Sequence, residues 1–405
     1  MGAATIRPAA AFDWDQDVAP DGTPLAARLA DAPQWAPGLA EEVDGEDLVP
    51  LVRRLAALCD RRGVPAFAPS AKENRITEPL RQLVDAAPLG PVAKLLAALP
   101  PDRTRRLRFP PWKASEAPGF LSDPAAVGLL RTSWKRTADA IALAWPDGRM
   151  SVELRAKGRR MFSGDWGVSV SIAGEALDLS AGWSCLCHHA DDEGEFLELQ
   201  WSGESSAGPA TVERQAFLPR GGGFAALSDA VRLSGAHRDE TVPIEHTMTL
   251  PIAAGISGGV APETREARLF GGKKNWQRAR VFPLALPQHP GGTDVGSITV
   301  DDDILTVRHA SRGGLVSPIA FDWDRWREED AAEWRPLTVT ENRRRLTAAH
   351  AGAHRLRIGG GHHLLIYRRT DASPAPRAVL GHHLDRETLI ATFSRKGEVA
   401  PLLKV

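Results

Sequence analysis

Apolar and polar residues alternate along the middle of the chain, and this alternation predicts β-strands. The run FLELQW places Leu197 and Leu199 on one face of an extended segment, whereas Glu198 and Gln200 lie on the other. A period of two residues is that of a strand with one buried face. Residues 211–218 repeat the period, so two neighbouring half-buried strands are expected here.

Four such segments follow one another between residues 182 and 233, separated by polar turns that contain glycine. The same pattern continues on both sides, and it predicts about fifteen short strands between residues 128 and 393. Closely spaced strands with turn signals between them are typical of antiparallel sheets rather than of alternating β-α units. We therefore expect an α+β chain, mainly β, dominated by a large antiparallel two-sheet β-sandwich.

The N-terminal part of the chain shows a helical period instead. Between residues 48 and 58, leucine and valine recur at helical spacing, and Pro50 falls in the first turn, where proline is tolerated. Further helices are expected to begin near Thr77, at Pro91 and at Pro124. These helices are short, and we expect them to need packing on other elements for stability.

A basic segment with two consecutive prolines, residues 102–113, separates the two patterns. It has the composition of a linker, since proline interrupts both helices and central strands. We therefore place the domain boundary close to it. Residues 1–115 are expected to form an irregular arm with a short helical region, and residues 116–405 the large antiparallel β-sandwich.

Composition and charge narrow the range of partners. The 405 residues are 43% hydrophobic and 25% charged, as in ordinary globular proteins, and the net charge of −1 favours no nucleic-acid partner. No apolar run reaches the roughly 20 residues of a membrane-spanning helix. The N-terminus shows no secretory signal pattern. A cytoplasmic protein without a membrane partner is the expectation, and its three cysteines are expected to be reduced thiols.

Two neighbouring segments resemble a known family. The run from Glu213 to Arg220 (ERQAFLPR) and the run FAALSDAV that follows it are similar to the sandwich domain of heparinase II/III-type polysaccharide lyases. The resemblance covers about residues 140–395 and implies a sandwich architecture and a connection to carbohydrate. In those lyases a long helical toroid supplies a catalytic tyrosine and histidine. Residues 1–115 contain neither residue type, so the resemblance implies no catalytic residue in this chain.

A cysteine and histidine cluster is the sharpest local motif. Alternation places Cys185, Cys187 and His189 on one face of a strand, and thiolates with an imidazole suit zinc. Residues two apart in a strand lie about 7 Å from each other, so the three converge on one ion only if the strand has a bulge. A divalent-metal site at these residues is one hypothesis, and buried structural thiols are the alternative.

Adjacent histidines occur three times, at positions 188–189, 362–363 and 382–383. If the pairs met in space, they would form an acid/base or metal site, whereas isolated pairs are expected to be strand-edge residues bonded to backbone. Arginines near them could hold the carboxylate of a uronate sugar. The candidate catalytic residues are accordingly His188, His363, His383, Arg214 and Arg220.

Tryptophans close to basic residues suggest a different role. Indole rings stack on sugar rings, and we single out Trp276, Trp323 and Trp326 for this role. The first functional hypothesis is a carbohydrate-associated β-sandwich binding module without demonstrable catalysis. The alternatives are a polysaccharide-active, lyase-like enzyme that uses the paired histidines and arginines, and a protein-interaction scaffold. The expected partner is an acidic polysaccharide or another protein.

Overall fold

The computed structural model describes residues 12–36, 39, 43, 45–60, 62–69, 74–86, 118–135, 137–234, 240–272, 276–291, 295–394 and 398–405. Two compact units divide the chain. The first spans Met1–Pro146 and Ser151–Arg160, and the second spans Asp147–Met150 and Met161–Val405. The division between the units therefore falls later in the chain than the expected boundary at residue 115.

The described helices all lie in the first unit, apart from single 3₁₀ turns. They are α1 (Trp14–Asp17), α2 (Ala32–Trp35), α3 (Gly45–Leu58) and α4 (Thr77–Ala86). The helices expected near residues 48 and 77 are confirmed, whereas residues 123–126 form a turn instead of the helix expected at Pro124. The helix expected at Pro91 lies outside the described residues. No helix among those described is both long and apolar enough to cross a membrane.

A small antiparallel sheet accompanies these helices, in the order β1-β2-β3-β4-β5. Its strands are β1 (Phe120–Ser122), β2 (Val127–Arg131), β3 (Ala140–Ala144), β4 (Ser151–Ala156) and β5 (Arg159–Asp165). Leu58 of α3 packs in one apolar cluster with Val127 and Leu129 of β2. The chain passes into the second unit within β5.

Buried arginines satisfy the carbonyl groups at the C-terminal end of α3. Arg131 Nη1 donates to the carbonyl of Ala57, and Arg155 Nη2 donates to that of Leu58 at 2.7 Å. The last carbonyls of a helix have no partner within the helix and attract positive charge. Cys59 follows directly, and burial raises the pKa of its thiol to about 12. This cysteine is therefore a structural, unreactive thiol.

Apart from 3₁₀ turns, the regular elements described in the second unit are strands, and those that follow β5 form four antiparallel sheets. In chain order they are β6 (Gly167–Ile172), β7 (Glu175–Ala176), β8 (Ser184–Ala190), β9 (Gly194–Ser205), β10 (Gly208–Pro219), β11 (Phe224–Leu233), β12 (Pro243–Pro251), β13 (Ile256–Val260), β14 (Ala267–Gly271), β15 (Trp276–Pro283), β16 (Gly296–Asp301), β17 (Ile304–Arg312), β18 (Gly314–Asp322), β19 (Ala332–Pro336), β20 (Val339–Glu341), β21 (Arg344–Arg345), β22 (Ala351–Ile358), β23 (His362–Arg369), β24 (Arg377–Val379), β25 (His382–Leu384), β26 (Thr388–Phe393) and β27 (Val399–Lys404).

We name the four sheets by position or by a member strand. The central sheet has the order β13-β14-β15-β18-β11-β10-β9-β8 and contains the four consecutive strands expected between residues 182 and 233. The β12 sheet is β16-β17-β12-β6-β7, the β23 sheet is β19-β22-β23-β26-β27, and the β20 sheet is β21-β20-β24-β25. A mainly β, antiparallel chain is confirmed. A single two-sheet sandwich is not, because the second unit alone has four described sheets.

Side-chain contacts give the stacking order of these sheets. Phe217 of the central sheet packs with Ile366 of the β23 sheet, and Tyr367, on the opposite face of β23, packs with the β20 sheet. On its other face the central sheet contacts the β12 sheet, where Asp229 Oδ2 lies 2.8 Å from His246 Nε2. The central sheet is therefore covered on both faces, which explains why most of its inner positions are buried.

Charged groups are buried on the central-sheet face that meets the β23 sheet. Arg368 Nη2 lies 2.5 Å from Glu198 Oε1, 2.6 Å from Glu213 Oε2 and 3.4 Å from Glu387 Oε1. Arg232 contacts Glu213 at 2.7 Å and Glu387 at 3.2 Å. Two guanidinium groups thus face three carboxylates. Burial raises the pKa of Glu198 to about 7, against the lowering effect of Arg368.

The raised pKa of Glu198 predicts a pH-dependent stability. Because its folded-state pKa lies above the ordinary value of 4.5, its stabilising effect is complete below pH 4.5 and is lost as pH rises to 7. Glutamine mimics the protonated acid and does not ionise. Between pH 5 and pH 8, the free energy of unfolding of Glu198→Gln should therefore rise by roughly 2–3 kcal/mol relative to that of the wild type. Urea unfolding at both pH values measures this gain.

Glu204→Gln is the matched control, because Glu204 lies on the same strand, β9, and is exposed. Its free energy of unfolding should follow that of the wild type at both pH values. If the Glu198→Gln and wild-type curves ran parallel from pH 5 to pH 8, the raised pKa would be wrong.

Candidate functional site

Two exposed indole rings belong to segments of the second unit that a hydrogen bond joins. Trp276 begins β15 and is 54% exposed, and Trp326, in the 3₁₀ turn after β18, is 90% exposed. Gln277 Nε2 donates to the carbonyl of Glu328 at 3.3 Å and so joins the start of β15 to the segment that carries Trp326. We call Trp276, Arg325 and Trp326 the tryptophan corner.

An aspartate cap and an arginine shape the turn that carries Trp326. Asp324 is the N-cap of the turn, and its Oδ1 accepts a hydrogen bond from the backbone N–H of Trp326 at 3.0 Å. Arg327 Nη1 lies 2.9 Å from Asp324 Oδ2, and its Nη2 pairs with Asp322. Burial raises the pKa of Asp322, while Arg327 opposes the change. The turn residues therefore have local partners that define the backbone position of Trp326.

A buried guanidinium anchors the same turn to the central sheet. Arg280, which is 2% exposed, donates from Nη1 to the carbonyls of Arg327 at 2.9 Å and Asp330 at 2.7 Å. Its Nε and Nη2 donate to the two carboxylate oxygens of Glu266, each at 2.9 Å. This bidentate pair fixes the guanidinium plane. The exposed Trp326 is thus presented on a well-supported backbone.

Trp323 does not belong to the exposed surface, and its expected stacking role is wrong. It is 5% exposed, and its backbone N–H donates to the carbonyl of Gly223 at 2.9 Å. Trp323 therefore continues the path of β18 beside the end of β11, and its ring points into the protein. Only after Asp324 does the turn bring the next tryptophan to the surface. The spacing of the tryptophans in the sequence did not show that Trp323 is buried and Trp326 exposed.

The three histidine pairs lie on three different sheets. His188 and His189 are on β8 of the central sheet, the second pair is on β23, and His382 and His383 are on β25 of the β20 sheet. Burial lowers the pKa of His188. The ring of His363 lies 4.8 Å from that of Phe393. The described residues contain no cluster of three or more His, Cys, Asp or Glu side chains suited to a metal, so the structure gives no support for a joint site of His188, His363 and His383.

Arg214 has no access to a ligand, so its expected role in holding a uronate carboxylate is wrong. Its side chain is fully buried, with Nε 2.9 Å from Asp229 Oδ1, and Nη1 donates to the carbonyl of Trp166. Arg220 is partly exposed, but Nη1 lies 2.6 Å from Glu195 Oε1 and Nε donates to the carbonyl of Asp191 at 2.9 Å. Both arginines therefore have internal partners, Arg214 in the middle of β10 and Arg220 just beyond its end.

The cysteine motif does contain a bulge, but the described residues show no metal site there. The register of β8 on β9 shifts between Cys185 and Cys187, and Leu186, the extra residue, is 51% exposed. Burial raises the pKa of Cys187, and His189 Nε2 lies 2.9 Å from Asp191 Oδ2. Across the described parts of the chain, no three or more His, Cys, Asp or Glu side chains form a metal-binding group.

The structure brings together three histidines that the sequence did not single out. His246 on β12 lies directly opposite His309 on β17, and His354 on β22 is close enough to affect the pKa of His309. Burial lowers the pKa of His309 to about 3, with further lowering from His246 and His354, and burial alone lowers that of His354 to about 3. Each histidine is isolated in the sequence, so only the folding of three strands reveals the group.

Comparisons with known proteins do not assign a family. No family model and no curated protein matches the chain. Two structural neighbours are the Slr1438 protein from Synechocystis sp. PCC 6803 and an Escherichia coli K12 protein described as a proposed aldose 1-epimerase. The alignment with the first has a TM-score of 0.31 and 10% sequence identity, and it covers 45% of this chain and 91% of the Slr1438 chain. The alignment with the second has a TM-score of 0.29 and 8% sequence identity, and it covers 46% of this chain and 96% of the Escherichia coli chain.

TM-scores this low carry no argument about fold or function. Neither neighbour is described as a polysaccharide lyase. The resemblance to heparinase II/III-type lyases is not confirmed, because no family model matches the chain.

The anchoring of the Trp326 turn generates a prediction about its dynamics. Arg280→Met removes the bonds to the carbonyls of Arg327 and Asp330 and one partner of the buried Glu266. Breaking a buried pair in this way costs about 3 kcal/mol or more. Amide hydrogen exchange of residues 323–330 should become at least tenfold faster in the variant.

Arg268→Met is the control, since Arg268 pairs with the same Glu266 at 2.7 Å but is 41% exposed in its side chain. Exposed pairs contribute about 1 kcal/mol or less, so exchange in residues 323–330 should stay near the wild-type rate. Equal exchange in the two variants would contradict the anchoring role of Arg280.

Proposed function

We propose that the protein binds acidic carbohydrate at the tryptophan corner, as a non-catalytic module. The observation that carries the proposal is Trp326, which is 90% exposed on a turn held by Arg280 and Asp324. A large aromatic side chain on a fixed backbone loses little conformational freedom when it binds a ligand. It offers a flat apolar face of the kind on which the C–H groups of a sugar ring stack.

The charge beside Trp326 favours an acidic sugar. Arg325 is its exposed neighbour, and none of the described carboxylates forms an ion pair with it. A guanidinium group binds a carboxylate through two parallel hydrogen bonds. A uronate residue stacked on Trp326 could therefore place its carboxylate near Arg325. Trp276, at the same corner, adds a second ring for a neighbouring sugar.

The described residues favour binding over catalysis. The expected lyase-like chemistry needs accessible arginine and histidine groups, but Arg214 is buried and the histidine pairs lie on separate sheets. His309 and His354, with pKa values near 3, hold a proton in only about one molecule in 10⁴ at pH 7, which makes them weak general bases. We therefore propose no reaction for this protein.

Affinity electrophoresis in gels that contain polygalacturonate tests the proposal, with dextran as the neutral polymer. The wild type should be retarded by polygalacturonate and to a smaller extent by dextran. Trp326→Ala should bind at least tenfold more weakly, a loss of about 1.4 kcal/mol. Arg325→Gln should reduce the affinity for polygalacturonate to that for dextran, because only the charged interaction is removed.

Leu186→Ala is the matched control, because Leu186 is another large exposed apolar residue, at 51%, on a different strand. It should leave retardation unchanged. If polygalacturonate did not retard the wild type, or retarded Trp326→Ala equally, the proposal would fail. A protein partner for the exposed rings would then be the remaining hypothesis.

A further inference from the structure

A separate cleft of about 390 Å³ opens in the second unit. Strands β17, β18 and β22 and the segments 336–339 and 345–348 line it, so it is built from other elements than the tryptophan corner. This volume lies in the range of small-molecule sites. Its walls combine polar and apolar groups, and Val316, Leu337 and Leu346 are among the apolar ones.

Two imidazole rings are among the polar groups of the cleft, together with Ser311, Thr338, Thr347 and Arg345. His354 is 5% exposed, and no described protein group hydrogen-bonds to its Nδ1, which is buried. The Nδ1 atom of His309 is also buried and unpartnered. An unsatisfied buried polar atom costs about 1–3 kcal/mol, and proteins retain few of them. Both rings are neutral at physiological pH because burial lowers their pKa values to about 3. Each can therefore donate one hydrogen bond and accept another.

A carboxylate orients His246, the cross-strand neighbour of His309. His246 Nε2 lies 2.8 Å from Asp229 Oδ2, and Asp229 also pairs with Arg214. Burial acts to raise the pKa of Asp229, but Arg214 and His246 lower it overall, so Asp229 is ionised. The hydrogen in this contact therefore belongs to His246 Nε2, which donates to the carboxylate. This pairing fixes the His246 ring beside His309, its direct cross-strand neighbour.

One permanent charge lies among the residues that line the cleft, the guanidinium of Arg345. A tight turn with positive φ at Asn342 (47°) and Arg343 (66°) joins β20 to β21, and it places Arg345 opposite Thr340. Arg345 is exposed, and no carboxylate of the described residues forms an ion pair with it. The preceding Arg344 points to the other face of the strand and is not part of the lining.

One carboxylate lies near this rim. Glu240 Oε2 accepts a hydrogen bond from Thr347 Oγ1 at 2.8 Å, and Glu240 Oε1 lies 3.7 Å from His350 Nε2. Both of its oxygens thus already have partners, whereas Arg345 has none among the described carboxylates. Arg345 is thus the charged group that lines the cleft itself, while the Glu240 carboxylate is directed at Thr347 and His350.

We propose that this cleft binds a small organic acid with an apolar body, a carboxylate at one end and a hydroxyl group at the other. The carboxylate pairs with Arg345 at the rim, and the apolar body lies against Val316, Leu337 and Leu346. The hydroxyl group reaches the histidines, where it accepts a hydrogen bond from one neutral imidazole and donates one to the other. This site is independent of the function proposed for the tryptophan corner.

Three related probes test each part of the proposal by isothermal titration calorimetry. 4-Hydroxyphenylacetate has all three features, phenylacetate lacks the hydroxyl group, and 4-hydroxybenzyl alcohol lacks the carboxylate. The wild type should bind the first with saturation and each of the others at least tenfold more weakly. Absence of saturable binding of 4-hydroxyphenylacetate, or equal affinity for all three, would overturn the proposal.

Two variants assign the interactions to residues. Arg345→Gln should lower the affinity for 4-hydroxyphenylacetate at least tenfold and leave that for 4-hydroxybenzyl alcohol unchanged, whereas Arg344→Gln should bind like the wild type. His309→Phe should lose the preference for 4-hydroxyphenylacetate over phenylacetate. Equal affinity of the Arg345→Gln and Arg344→Gln variants would exclude Arg345 as the carboxylate partner.

Two further measurements keep the test independent of folding and of the first proposal. If His309→Phe does not fold, imidazole ¹⁵N chemical shifts of wild-type His309 and His354 should change with 4-hydroxyphenylacetate more than with phenylacetate. Unchanged shifts on saturation would contradict the histidine contact. Trp326→Ala should bind 4-hydroxyphenylacetate like the wild type, so failure of carbohydrate binding at the tryptophan corner would leave this result unaffected.

Discussion

The second unit depends on the burial of paired charges on both faces of its central sheet. On one face Arg214 and Asp229, directly opposite each other on β10 and β11, form a pair with Nε and Oδ1 2.9 Å apart. On the other face Arg368 pairs with Glu198 and Glu213. Buried ions are costly unless partners satisfy them, and these partners come from different strands and sheets. The pairs therefore favour the one arrangement of layers in which every charge meets its counterpart.

Buried pairs of charged side chains also support both candidate sites. Asp229, held by Arg214, accepts the hydrogen bond that orients His246 beside His309. At the tryptophan corner, Arg280 uses Glu266 as its partner and holds the carbonyls of the turn that carries Trp326. In each case a buried guanidinium or carboxylate without ligand access positions a group that a ligand can reach. In both proposals the ligand accordingly contacts residues that neighbour the buried charged pairs, and it does not contact the charged pairs themselves.

Sequence patterns predicted backbone elements better than the environments of single residues. The alternation in FLELQW correctly predicted β9, yet it placed Glu198 on a polar face, and Glu198 is buried against Arg368 from another sheet. The local sequence does not distinguish Trp323 from Trp326. In the structure a capped turn lies between them, and Trp323 is buried whereas Trp326 is exposed. Burial depends on which layer covers a strand, and a strand's own sequence does not contain that information.

The sequence by itself determined that the chain is mainly β and antiparallel, with an amphipathic α3, because periods of two and of 3.6 residues are local properties. It also indicated Trp276, Trp323 and Trp326 as candidate stacking rings, of which Trp323 is buried. Only the tertiary structure decided that the second unit stacks several sheets, that the three histidine pairs lie on three sheets, and that His246, His309 and His354 come near one another. The reason is that contacts between strands far apart in the chain follow from the packing of layers, and no local pattern encodes their partners.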